Sequence, residues 1–167
     1  IKGNFNINST KIINGNFFIW DNCKFGNIYF NIVKINGDFR IVDTEVLQNI
    51  SFIINEKLTK IEFGKNVRIK GELNLKNIIS DLIIIRESEI EKLNLSEVKT
   101  NAFSIKDSLI KILTLYYCYD DYNVTTISSF TILGKSEIED LTISNGKYEN
   151  ILIESENNNN KIGTLFF

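Results

Sequence analysis

The chain has 167 residues, 43% hydrophobic and 24% charged, with a formal charge of −2 at pH 7. That composition suits one folded domain with a real core and excludes a disordered chain. So neutral a balance gives no electrostatic reason to expect a nucleic-acid or anionic-membrane partner, since phosphate contacts need a surplus of Lys and Arg.

From the N-terminus, the first recurring feature is a pair of apolar residues separated by one other: Phe5/Ile7, Phe17/Ile19, Ile28/Phe30 and Phe39/Ile41. Alternate residues of a strand face the same way, so each pair marks a short strand with two inward side chains. Phe18 and Trp20 flank one such strand. They read either as an exposed aromatic patch or as a local register shift that buries Trp20, and burial is the expectation. The pattern blurs over 45–70, then resumes at Leu73/Leu75, Leu93/Leu95, Phe103/Ile105 and Leu113/Leu115. It slips again over 116–129 and returns at Phe130/Ile132, Leu141/Ile143, Ile151/Ile153 and Leu165/Phe167. A helix would need apolar residues at i, i+3, i+4 and i+7, which this recurrence does not supply.

The strands belong to a longer unit. Ser88-Glu-Ile-Glu-Lys-Leu-Asn-Leu95, Ser108-Leu-Ile-Lys-Ile-Leu-Thr-Leu115 and Ser136-Glu-Ile-Glu-Asp-Leu-Thr-Ile143 share one pattern: small residue, apolar two places on, then an apolar pair. From Ser88 to Cys118 the period tightens to five residues, with Ser88, Ile90, Leu93, Leu95, Val98, Thr100, Phe103, Ile105, Ser108, Ile110, Leu113 and Leu115 as inward teeth. Glu89, Glu91, Asn94, Ser96, Glu97 and Lys106 lie between them as outward residues, while Ala102, Leu109, Ile112, Tyr116 and Tyr117 break the polar rule outside. A short strand and a bend, repeated, make the chain coil.

This comb resembles the pentapeptide-repeat proteins, over roughly residues 88–118 and in part over 20–35 and 136–167. The resemblance implies a right-handed β-helix with four five-residue faces per coil. The chain departs from that family by carrying Leu, Ile or Phe at every second small-residue position, which calls for a wider or flatter coil. The Gly-Asn-Phe stretches near the N-terminus are similar, more weakly, to bactofilins, which are polymer-forming β-helices. The expected fold is therefore all-β: one right-handed parallel β-helix (β-solenoid) over residues 1–167, with about 20–22 residues per coil and about 7–8 coils. A chain beginning at Ile1 and holding no Met reads as an excerpt of a longer polypeptide.

Few residues advertise chemistry. With no His, Ser–His–acid and Cys–His nucleophiles are excluded, and there is no paired Cys-x-x-Cys, EF-hand loop or Gly-rich phosphate loop. The glutamates alternate with lysines as a solvated face would. No catalytic residue, metal site or cofactor is expected. Cys23 and Cys118 fall at small inward positions and read as two buried thiols, which favours a reducing, cytoplasmic setting; a removed leader leaves secretion or surface exposure open. No apolar run is long enough to span a membrane.

Two surfaces stand out. Four of the six tyrosines crowd the second register slip, where Tyr116, Tyr117, Tyr119, Asp120, Asp121 and Tyr122 either plug a break in the stack or form an interaction loop. Leu165, Phe166 and Phe167 end the chain on an apolar note, a candidate end-to-end assembly surface covered by a second copy or by further residues of the same polypeptide. The leading functional expectation is a non-enzymatic protein-interaction or scaffold module whose partner is another protein or itself. The alternatives are a DNA-mimic inhibitor of a DNA-handling enzyme, implied only by the family resemblance, and an extracellular adhesin or glycan-binding β-helix.

Overall fold

The computed structural model describes residues 3–8, 12–31, 34–53, 57–116, 125–144, 146–154 and 161–166. These residues form strands and no helix, so none of their segments is a helix that could cross a membrane. In chain order the strands are β1 (Phe5–Asn8), β2 (Ile12–Asn14), β3 (Phe17–Ile19), β4 (Cys23–Phe25), β5 (Ile28–Asn31) and β6 (Lys34–Asn36). Next come β7 (Asp38–Val42), β8 (Thr44–Val46), β9 (Ile50–Ile53), β10 (Lys57–Lys76), β11 (Ile79–Ser96) and β12 (Lys99–Lys106). The last are β13 (Leu109–Tyr116), β14 (Thr126–Leu133), β15 (Glu137–Ile143), β16 (Lys147–Ile153) and β17 (Lys161–Phe166).

All pairings are parallel and join one coil to the next, which makes the chain a β-solenoid. Each coil presents four faces. A first face stacks Phe5, Ile28, Ile50, Leu73, Leu93, Leu113 and Leu141 in register. A second carries Leu58, Ser80, Thr100, Ile127 and Tyr148, and a third Phe17, Phe39, Ile61, Ile83, Phe103, Phe130 and Ile151. The fourth carries Val46, Ile69, Ile90, Ile110 and Ile138. The long strands β10 and β11 bend through all four faces, so one strand is nearly a whole coil.

The stack makes about 6 turns, slightly fewer than the 7–8 expected. The reason is coil length. Stacked residues are 20 apart in the regular comb, 22 or 23 apart in the N-terminal half, and 28 apart across residues 117–124. The blurred stretch between residues 45 and 70 is no break: among the described residues Val46, Ile50, Phe52, Leu58, Ile61, Phe63, Val67 and Ile69 all remain buried. Extra residues are taken up at corners, at Lys65 and Asn66 with φ of 54° and 60° and in a bulge between Ile69 and Glu72.

Alternation explains the core. Every tooth of the comb from Ser88 to Leu115 is at most 5% exposed, and Leu109 and Ile112, which broke the outside rule, point outward at 37% and 39%. Each buried apolar side chain, two per coil on the first and third faces, contributes roughly 1.5–3 kcal/mol, and no single coil can bury them without its neighbours. Aromatic rings fill the N-terminal half, where Phe39 meets Phe52 at 4.3 Å and stacks on Phe17 at 5.6 Å. Phe103 stacks on Phe130 at 5.0 Å across the longest coil, so the core is continuous past the insertion.

The corners need a backbone that turns sharply. Asp43, Lys65, Glu87 and Asp107 take positive φ of 47–54°, and Gly134 takes 70°, each at the corner before the fourth face. The small residue that follows then closes the turn. Ser88 Oγ donates to the Arg86 carbonyl at 2.7 Å and Ser108 Oγ to the Lys106 carbonyl at 2.8 Å. Serine hydroxyls at this corner also accept from the coil before: Ser88 N–H donates to Ser108 Oγ at 3.3 Å, and Ser108 N–H to Ser136 Oγ at 3.4 Å. That is why each repeat opens with a small polar residue.

Candidate functional site

A solenoid with a packed interior can meet a partner on its outer faces or at its two ends. The third face carries the exposed aromatic pair. Phe18 and Trp20 alternate outward from β3, at 42% and 62% exposure, with ring centroids 6.1 Å apart in an edge-on arrangement. The expectation that Trp20 is buried is thus wrong. Phe17 and Ile19 hold the inward positions of β3, paired with Phe39 and Ile41, and strand alternation leaves Phe18 and Trp20 outside.

Beside the rings lies a basic cluster around one acid. Phe18 is the register partner of Arg40, and Arg40 that of Glu62. Glu62 sits on the outer side of the sheet yet is only 2% exposed, because cationic side chains cover it. Lys60 Nζ lies 2.7 Å from its carboxylate, Arg86 Nε 2.8 Å and Arg40 Nε 3.4 Å. Burial by itself would raise the Glu62 pKa; the hydrogen bonds from Lys60 and Arg86 and the charges of Lys60 and Arg40 outweigh it, and the carboxyl is held below its ordinary value. A Cβ on Gly64 would come within 3.0 Å of Arg86 Cγ, so the glycine lets Arg86 lie flat across the face to reach Glu62. Glu87 lies 3.9 Å from Arg86 as a second acid, so three cations face two carboxylates and the patch keeps a modest positive excess.

The first face is concave and polar. A depression of about 530 Å³ lies on it, floored by Ser51, Asn74, Asn94 and Thr114, which form a single outward column in register. Asn94 Nδ2 donates to Asn74 Oδ1 at 3.0 Å and also to Glu72, whose carboxylate pairs with Lys92 at 3.1 Å. Burial would raise the Glu72 pKa, and hydrogen bonds from Asn74, Lys92 and Asn94 together lower it. Asn94 and Ser96 are only 7% and 5% exposed although they face outward.

The fourth face holds two smaller hollows of about 220 and 350 Å³ whose charges are already matched. Lys24 and Lys70 each lie 2.7 Å from Glu45 and pull its pKa down to about 2; Arg68 pairs with Glu89 at 3.3 Å and Lys111 with Glu91 at 2.7 Å. Among the described residues no group of three or more His, Cys, Asp or Glu is placed to hold a metal.

The tyrosine-rich candidate falls mostly outside the described residues. Tyr116 closes β13, while Tyr117, Tyr119, Asp120, Asp121 and Tyr122 lie beyond them, as does Cys118. At the other candidate surface Leu165 and Phe166 belong to β17, and Phe167 lies outside the described residues. Cys23 is half-buried rather than buried; it packs against the core, with its thiol 3.1 Å from the Trp20 carbonyl. Sequence reasoning missed Glu62 altogether and treated Asn94 and Ser96 as ordinary surface. Their pairing was legible only with the register in hand, since Glu62 and Arg86 are 24 residues apart and Asn74 and Asn94 are 20 apart.

The fold and these faces define a parallel β-solenoid with a closed core and chemically distinct outer sides. Comparisons with protein-family models, curated proteins and solved structures return no match.

Proposed function

We propose that this chain is a non-enzymatic interaction or scaffold module, a rigid β-solenoid that engages another protein through its third face. The observation that carries the reading is the exposed Phe18–Trp20 pair held beside Arg40. Trp and Arg are the residue types that anchor protein interfaces, and here both stand on a sheet whose core is closed beneath them. The excess of Arg40, Lys60 and Arg86 over Glu62 and Glu87 favours a partner segment carrying acidic residues. The interleaved ion pairs of the fourth face and the basic cluster of the third weigh against a DNA-mimic inhibitor, which needs a continuous acidic stripe. The 20-residue register and the Ser-headed corners of residues 88–115 support a pentapeptide-like description of the most regular coils.

The test is quantitative co-purification from the native cells with the wild-type chain and a Phe18→Ser/Trp20→Ser variant of equal thermal stability. A protein recovered in near-equal molar amount with the wild type and lost with the variant supports the reading. Identical sets of bound proteins contradict it.

A further inference from the structure

We infer that the depression on the first face is a binding site for a neutral oligosaccharide. This goes beyond the third-face reading and does not rest on it. Half of the ten lining residues, Ser51, Asn74, Asn94, Ser96 and Thr114, supply hydroxyls and amides; the others are Ile53, Leu75 and the charged Glu72, Lys76 and Lys92. Amides and hydroxyls offer donor and acceptor together, which is what the neighbouring hydroxyls of a sugar require. The charged groups at its edge are held in ion pairs, Glu72 with Lys92 at 3.1 Å and Lys76 with Glu97 at 3.6 Å, which disfavours a polyanion and a polycation alike.

The site is built before any ligand arrives. Asn94 is fixed by its bonds to Glu72 and Asn74, and its Oδ1 has no partner among the described residues. Nor do the side-chain hydroxyls of Ser51, Ser96 and Thr114. Groups held on paired strands lose little freedom on binding. The column from Ser51 to Thr114 crosses three coil-to-coil steps of about 4.8 Å, so an extended chain of hydroxylated rings can follow it along the axis. A peptide would find less here. The strands of this face pair on both edges, leaving no backbone to augment, and among the described residues no exposed aromatic or Arg anchor lines the hollow.

The experiment is isothermal titration of the intact chain with maltohexaose, cellohexaose, chitohexaose and mannohexaose, repeated on Ser51→Ala/Thr114→Val. Both substitutions keep size and strand propensity while deleting hydroxyls. Thr142→Val, in the same column but outside the depression, is the control. At least one probe is expected to bind with a millimolar or tighter Kd, weakened about tenfold or more by the double variant and unchanged by Thr142→Val. Failure of all four probes to bind, or binding that ignores the double variant, overturns the inference.

Discussion

The side-chain carbonyl of Asn27 accepts the backbone N–H of Asn49, 22 residues later, at 3.0 Å. Asn27 N–H in turn donates to Asn4 Oδ1 at 3.0 Å, and Asn49 Oδ1 accepts Glu72 N–H at 2.8 Å. Asparagine side chains thus carry the inter-coil hydrogen bonding at the corner that leads into the first face. The recurring Asn before an apolar pair has a mechanical role.

Removing the middle of that ladder should be costly. Asn27→Ala removes a side chain that is only 7% exposed and that accepts the Asn49 N–H and bonds Asn4 and Gln48. The expected loss is about 1–3 kcal/mol of unfolding free energy, read from urea denaturation. An unchanged midpoint would mean that the ladder is incidental.

Corner backbone makes a prediction of both signs. Glu87 holds a φ of 48° on an exposed side chain, so Glu87→Gly relieves left-handed strain and should stabilise by up to about 1 kcal/mol. Gly134 has a φ of 70°, and a Cβ there would meet Asp107 Oδ1 at 2.2 Å, so Gly134→Ala should cost about 1–3 kcal/mol. Thermal melts of the two variants, moving in opposite directions, check this.

Acid should weaken the protein by a defined route. Glu45, Glu62 and Glu72 all have folded-state pKa values below the ordinary 4.5, with Glu45 at about 2. A depressed carboxyl stabilises fully above its unfolded value, and that contribution is lost as pH falls through the folded one. Stability is therefore expected to be flat near neutrality with respect to these groups and to decline from about pH 4.5 toward pH 2. Glu62→Gln should lower stability at pH 7 by about 1–2 kcal/mol, since it strips the anion from three cations, and should flatten the acid decline.

Trp20 is the only tryptophan, which makes its exposure measurable without mutation. Its emission should lie close to that of the unfolded chain, with acrylamide quenching nearly as efficient in the folded state. Strong protection from quenching would return Trp20 to the core and dissolve the proposed aromatic patch.

Much of the fold is visible in the sequence, because strand alternation forces it. Phe103 and Ile105, or Leu113 and Leu115, can only be inward if Ser104 and Thr114 are outward, and a five-residue recurrence leaves no option but a coil. The outer chemistry was legible only in part. The double corner at Lys65–Asn66 and the bulge between Ile69 and Glu72 each add a residue to β10, so spacing alone does not tell which outward residues stack. Glu62 reads as one more surface acid until Arg40 and Arg86 are placed on the coils either side of it. Trp20 differs for the opposite reason: the expected local register shift would bury it, but Phe17 and Ile19 keep the alternation of β3 unshifted and leave it outside.

Both outer faces depend on successive coils lying in register, and the hardest place for that to hold is across residues 117–124. Ser104 and Thr131 are register partners on the third face, 27 residues apart, while Ser129 is the partner of Ala102. In a Cys23→Ser/Cys118→Ser background, Ser104→Cys/Thr131→Cys should form an intramolecular disulfide under mild oxidation, because adjacent rungs lie about 4.8 Å apart, within bridging range. Ser104→Cys/Ser129→Cys, displaced by two residues along the strand, should remain reduced. A bridge in the displaced pair alone, or in neither, would contradict the register on which the solenoid and its surfaces rest.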